Sequence, residues 1–229
     1  MMMRMSKRLS NIAVFVAAFL LGPLAIIVQT AVSEARATEQ AQPSPAAQFV
    51  QDLGDKAIRI IADQSLSPEQ RSRKYSGILH DAFDLETIGK FVLGRAWNTA
   101  TPQQRQEYLK LFEANVIKIY GDRLSFYSGE SFHVKSTRQE SDNDAVVTSE
   151  INHPGGQAPT TIDWRVRKQN GKFAIVDVVI EGVSQSVTER QEYASIIERN
   201  GGNIDALLDL MRQRAQKNQN QQKQQQSQQ

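Results

Sequence analysis

Three histidines and two strand-borne aspartates are the side chains most able to do chemistry in this 229-residue chain. His80, His133 and His153 fall on a helix, a strand and a turn, with no spacing that would bring two of them onto one metal ion. No His-x-x-x-His pair, nucleophile elbow or phosphate-binding loop accompanies them. Cysteine is absent, which removes a thiolate nucleophile, a Cys-ligated zinc site, a disulfide framework and a cysteine for lipid attachment. Asp163 alternates with Arg165 and Arg167, so ion pairing is its simplest role. Asp177 shares strand parity with Phe173, Ile175 and Val179, so it is expected on an apolar face. Desolvation there would favour its neutral form and make it an acid/base group. An acceptor for a neighbouring arginine or backbone N–H is the plainer alternative.

Bulky apolar residues outnumber such candidates. Phe91, Trp97, Tyr108, Phe112, Tyr120, Phe126, Tyr127, Phe132 and Trp164 lie on segments with helix or strand periodicity. An ordinary filled core needs these residues, and so do the walls of an apolar pocket.

The elements that must position them are set by periodicity and capping chemistry. Ser44-Pro45 opens a helix with Phe49, Val50, Leu53, Ala57, Ile60 and Ile61 on one face. Ser67-Pro68-Glu69-Gln70 is a capping box ahead of Tyr75, Ile78, Leu79, Ala82 and Phe83. Asp84 caps a third helix carrying Leu85, Ile88, Phe91 and Val92. Thr101-Pro102-Gln103-Gln104 starts the longest helix, expected to reach about Tyr127. Beyond Gly129 the period becomes two. Four strands are expected around residues 132–135, 145–148, 162–166 and 173–180, joined by Asn152-His153-Pro154-Gly155-Gly156 and Gln169-Asn170-Gly171-Lys172 into an antiparallel meander. Ser186-Val187-Thr188-Glu189 reads as a further capping box, Asn200-Gly201-Gly202 ends that helix, and Ile204, Leu207, Leu208 and Met211 mark the last one.

The ends differ from this α+β body. Arg4, Lys7 and Arg8, an apolar run from Ile12 to Val28 and Ala35-Arg36-Ala37 have the plan of a secretory signal peptide, with cleavage expected near Ala37. Arg4, Lys7, Arg8 and Arg36 against Glu34 give that segment a charge of +3; removing it from the chain's +2 leaves the mature part near −1. The mature composition therefore carries no basic footprint for nucleic acid. The expected plan is residues 1–37 as signal peptide, 38–43 as a polar leader, 44–212 as one α+β domain and 213–229 as a disordered Gln-rich tail.

Several separated blocks share a known pattern. They are Leu93-Gly94 with Trp97, Ala100-Thr101-Pro102 with Gln104-Arg105 and Glu107-Tyr108, then Phe112, Tyr120, Tyr127 and Gly129. Asp163-Trp164, Asp177, Glu181-Gly182-Val183-Ser184, Thr188 and Gln191-Glu192-Tyr193 continue it. In this order they resemble the MlaC-like periplasmic phospholipid-binding family, also known for toluene tolerance and including hopanoid-associated relatives. The resemblance implies a non-enzymatic, monomeric periplasmic carrier without a cofactor, whose cargo is phospholipid. It implies an apolar cavity between a four-stranded sheet and the flanking helices. It also implies two partners: an inner-membrane ABC transporter complex and an outer-membrane lipoprotein–porin complex. From facing and size, the expected cavity walls are Phe91, Val92, Trp97, Phe112, Val116, Tyr120, Phe132, Val134, Trp164, Ile175 and Val179. Arg95 would either meet a phosphate at the mouth or stay solvated. The alternatives are a hopanoid-associated lipid-binding protein, an enzyme on a cone-shaped α+β fold using Asp177 as acid/base, and an adaptor with a filled core.

Overall fold

Helix starts are fixed locally, and the computed structural model, which describes residues 42–123 and 129–226, places them at the capping residues. Ser44 accepts from the Ala47 N–H at the start of α1 (Pro45–Ala62). Ser67 and Gln70 close a reciprocal capping box on α2 (Pro68–Ala82). Asp84 accepts from the Thr87 N–H of α3 (Leu85–Leu93). Gly94, at φ 61°, ends α3 and leads into the short α4 (Arg95–Thr99). Thr101 and Gln104 form a second capping box on α5 (Pro102–Arg123). The signal-peptide segment 1–37 and the side chains of Tyr120, Phe126 and Tyr127 lie outside the described residues.

The sheet runs in sequence order and is antiparallel throughout: β1 (Ser131–Gln139), β2 (Asp144–Asn152), β3 (Thr160–Gln169), β4 (Lys172–Ile180) and β5 (Val183–Ser184). It has five strands where four were expected. The fifth is made by Glu181 and Gly182, both at positive φ (48° and 78°), which fold Val183-Ser184 back onto β4. Glutamate is a poor advertisement for a left-handed turn, so its sequence signal is weak. The β3–β4 turn at Asn170 and Gly171 (φ 51° and 78°) is the one its dipeptide predicts.

A second departure matters more for function. Arg165 pairs with Asp177 but Val166 pairs with Ile175, so Val176 is an extra residue in β4. This bulge reverses the facing of the strand beyond it. Val178 joins Ile175 on the face of Trp164 and Val166, while Asp177 and Val179 turn to the face of Asp163 and Arg165. The expectation that Asp177 lies with Phe173 and Ile175 is corrected accordingly.

Two apolar cores result. In one, α1 packs Ala46 and Val50 on Phe132, Ala145, Val147 and Val166 of the sheet. Contact is close because Gly54 has no Cβ: one placed there would stand 2.2 Å from the Phe132 ring. The Gln51 amide also bonds the β1 backbone, accepting from Val134 N–H at 2.9 Å and donating to the Phe132 carbonyl, which covers part of that sheet edge. The other core joins α3, α4 and α5 to α6 (Gln185–Arg199) and α7 (Ile204–Gln226), with Tyr108, Phe112, Tyr193, Leu207 and Leu208 at its centre. Helix α7 continues to Gln226, through most of the segment expected to be a disordered tail. Residues 213–226 contain neither Gly nor Pro, and Gln, Lys, Arg and Ala all propagate a helix readily.

Candidate functional site: a cleft between the helical core and the fourth strand

Helices α3, α5 and α6 converge on β4, and each is held by a specific polar contact. The Asp84 N–H donates to the Ile175 carbonyl at 3.0 Å, tying the start of α3 to the strand. Asp177 receives the Ser184 hydroxyl at 2.7 Å, the Ser186 hydroxyl at 2.7 Å and the Ser186 N–H at 3.2 Å. Arg165 stands 3.7 Å from the same carboxylate. A carboxylate so engaged anchors the first turn of α6 as a structural acceptor. Ser184 is the N-cap of α6, accepting from Val187 N–H, which corrects the expected cap at Ser186.

Helix α5 meets α3 across Gly89. A Cβ on Gly89 would lie 2.9 Å from Leu109 and 3.2 Å from Phe112, and the Tyr108 hydroxyl donates to the Gly89 carbonyl at 3.0 Å. Tyr108 in turn stacks on Phe112 and meets the edge of Tyr193, at 5.8 and 6.2 Å. Outside, Arg212 of α7 clasps Glu107 of α5 through two bonds of 2.6 and 2.8 Å. The Arg212 guanidinium holds the Glu107 carboxyl below its ordinary range.

Between these elements lies a cleft of about 260 Å³. Leu85, Ile88 and Val92 of α3, Phe112, Val116 and Ile119 of α5, Phe83 and Val178 form its apolar walls. Asn115, Asp177, Gln185, Ser186, Thr188 and Glu189 supply its polar side, and no lysine or arginine lines it among the described residues. Burial raises the Glu189 carboxyl above its usual value, and Glu192 adds to the rise against the opposing pull of Tyr193 and Arg214. The volume lies just under the roughly 300–1,000 Å³ typical of small-molecule sites.

Of the expected wall residues, Val92, Phe112 and Val116 line this cleft. Phe132, Val134 and Trp164 belong instead to the core under α1, where Phe132 meets Trp164 edge-on at 6.1 Å. Ile175 is fully buried against Phe83. Val179 turns to the Asp163 face because of the bulge. Phe91 is 41 % exposed, with the Arg190 guanidinium 4.8 Å over its ring. Trp97 packs at the edge of the helical core between Lys90 and Arg105. Arg95 is exposed and does not line the cleft. The Tyr120 side chain lies outside the described residues. Sequence reasoning missed Leu85, Ile88, Asn115, Ile119, Val178 and Glu189. The spacing 112, 115, 116, 119 does mark one helix face, but Val178 has no sequence signal because the bulge decides its direction.

Residues 51–213 match the family model of the MlaC protein. The chain belongs to the MlaC family. Its relatives include the intermembrane phospholipid transport system binding protein MlaC of Haemophilus influenzae, 27% identical over 58% of this chain and 62% of that protein. Toluene tolerance protein ttg2D of Pseudomonas putida is 23% identical over 58% of this chain and 61% of its own length. The alignments thus span about three-fifths of these relatives. The fold is shared with a phospholipid-binding protein from Ralstonia solanacearum solved in complex with a phospholipid, at a TM-score of 0.66 and 24% identity over 75% of this chain and 97% of that one. Membership in this family agrees with the α+β architecture read from the sequence. Among the described residues no helix is long and apolar enough to cross a membrane, and no cluster of His, Asp and Glu is arranged to hold a metal ion.

Proposed function

We propose that this member of the MlaC family is a phospholipid carrier of the periplasm, exported by the signal segment and acting as a monomer between an outer-membrane lipoprotein–porin complex and an inner-membrane ABC transporter complex. The observation that carries the reading is the apolar cleft held open between α3, α5, α6 and β4. Each acyl CH₂ moved from water into such a site gains about 0.8 kcal/mol, so two chains cannot cross an aqueous compartment unshielded. Val92, Phe112 and Val116, joined by Leu85, Ile88, Ile119 and Val178, are the walls that would take the chains. A volume of about 260 Å³ is small for a two-chain lipid, so cargo must widen the cleft. The enzyme alternative finds no support in Asp177, whose carboxylate is engaged by two serines of the β5–α6 junction.

The test is organic extraction and mass spectrometry of protein purified from the periplasm. Phospholipid near one molecule per chain is expected. Protein that carries none, and that takes none up from vesicles after delipidation, would overturn the reading.

A further inference from the structure

The polar side of the cleft is built for something other than a phosphate. Asp177 and Glu189 both line it, and no lysine or arginine does among the described residues. A phosphate placed there would meet two carboxyls and no lining cation among the described residues. Asp177 is already saturated by Ser184 and Ser186. Gln185 and Thr188 each donate one bond to the local backbone, at the Val183 and Ser184 carbonyls. Asn115, on the α5 wall, makes no side-chain hydrogen bond among the described residues. Behind Glu189 the Tyr193 hydroxyl is fully buried and lacks a hydrogen-bond partner of good geometry. A free amide set in an apolar wall gains more from a ligand acceptor there than it would in open water.

Resting on the carrier reading, we propose that the Asn115 amide, set among the apolar side chains of the cleft wall, is the subsite for an ester carbonyl of the cargo, leaving the phosphate outside the cleft. Asn115 supplies an amide N–H to the carbonyl oxygen. In an acyl-glycerol lipid the ester carbonyls are the first polar atoms above the chains. An uncharged acceptor therefore arrives where an uncharged amide donor waits.

The experiment is competition binding of the full exported protein with two phosphatidylcholines of equal chain length, one ester-linked and one ether-linked. One carbonyl hydrogen bond corresponds to about a fivefold preference for the ester lipid. Asn115→Leu, of similar size without the donor, is expected to bring that ratio to about one. Glu189→Gln, which leaves the Asn115 amide in place, is expected to keep the preference. Equal affinity of the unmodified protein for both lipids would overturn the subsite and leave the carrier reading standing. So would a preference that survives Asn115→Leu. Binding of neither lipid would overturn the carrier reading itself. The ratio in the unmodified protein needs no variant, so the test stands even if a substitution impairs folding.

Discussion

Glu189 and Tyr108 are two buried groups of the cleft region that titration and truncation separate cleanly. Tyr108 is completely buried and spends its hydroxyl on the Gly89 carbonyl. Tyr108→Phe removes this second bond to a carbonyl that α3 already pairs within the helix, and should cost about 1 kcal/mol in urea unfolding. Glu189 is faced by Tyr193 and Glu192 of its own helix, Arg214 of α7 and Tyr108 of α5, with Asp177 across the cleft. Burial raises its folded-state pKa above the ordinary 4.5. The folded protein then holds this proton more tightly than the unfolded chain does. Its contribution is fully present below the unfolded value and is lost as pH rises through the folded one. Glu107 and Asp144, held low by Arg212 and Arg167, act in the opposite sense. The difference between Glu189→Gln and the unmodified protein isolates Glu189. Melting temperatures should diverge in favour of the variant as pH rises above about 4.5. Parallel curves would show that the carboxyl is not desolvated.

At the scale of elements, the α1–β1 contact is the most demanding. Gly54→Ala places a Cβ 2.2 Å from the Phe132 ring, and the helix or the ring must move. A loss of about 1–3 kcal/mol is expected. Adding Phe132→Leu should return part of it, a non-additivity that a double-mutant cycle reads directly. The helix starts were legible because a cap is a contact between residues three apart in sequence, as at Ser44, Ser67, Asp84 and Thr101. Ser184 was missed in favour of Ser186 because both hydroxyls suit a cap, and only Asp177, brought in by β4, draws Ser186 away. The two-residue β5 escaped for a similar reason. Its turn rests on Glu181 at positive φ, and Glu181 exchanges bonds with Thr161 of β3, a partner distant in the chain.

For the whole molecule, the decisive arrangement is the pair of cores with a cleft along one of them. Filling that cleft should affect cargo more than folding. Val116→Trp is expected to remove most bound phospholipid from the purified protein while Tm moves by no more than about 4–8 °C. Conversely, phospholipid at about 100 times its Kd should add about 2.7 kcal/mol of apparent stability to the unmodified protein and much less to Val116→Trp. Equal lipid content in both proteins would show that the chains do not lie against α5.

Sequence alone determined the order of elements, most helix starts, the meander and the membership blocks, because these depend on neighbours within a few residues or on a repeating period. It also determined that Phe112 and Val116 share a face of α5 with Asn115 and Ile119. Tertiary structure decided which apolar residues surround space and which fill it. Phe132 and Trp164 look identical in sequence to wall residues, yet α1 covers them because Gly54 lets it come close. Val178 lines the cleft and Asp177 turns to the α6 cap because one extra residue in β4 resets the alternation. Facing within an element is a local property, whereas a cavity is the distance between elements, and no single segment encodes that distance.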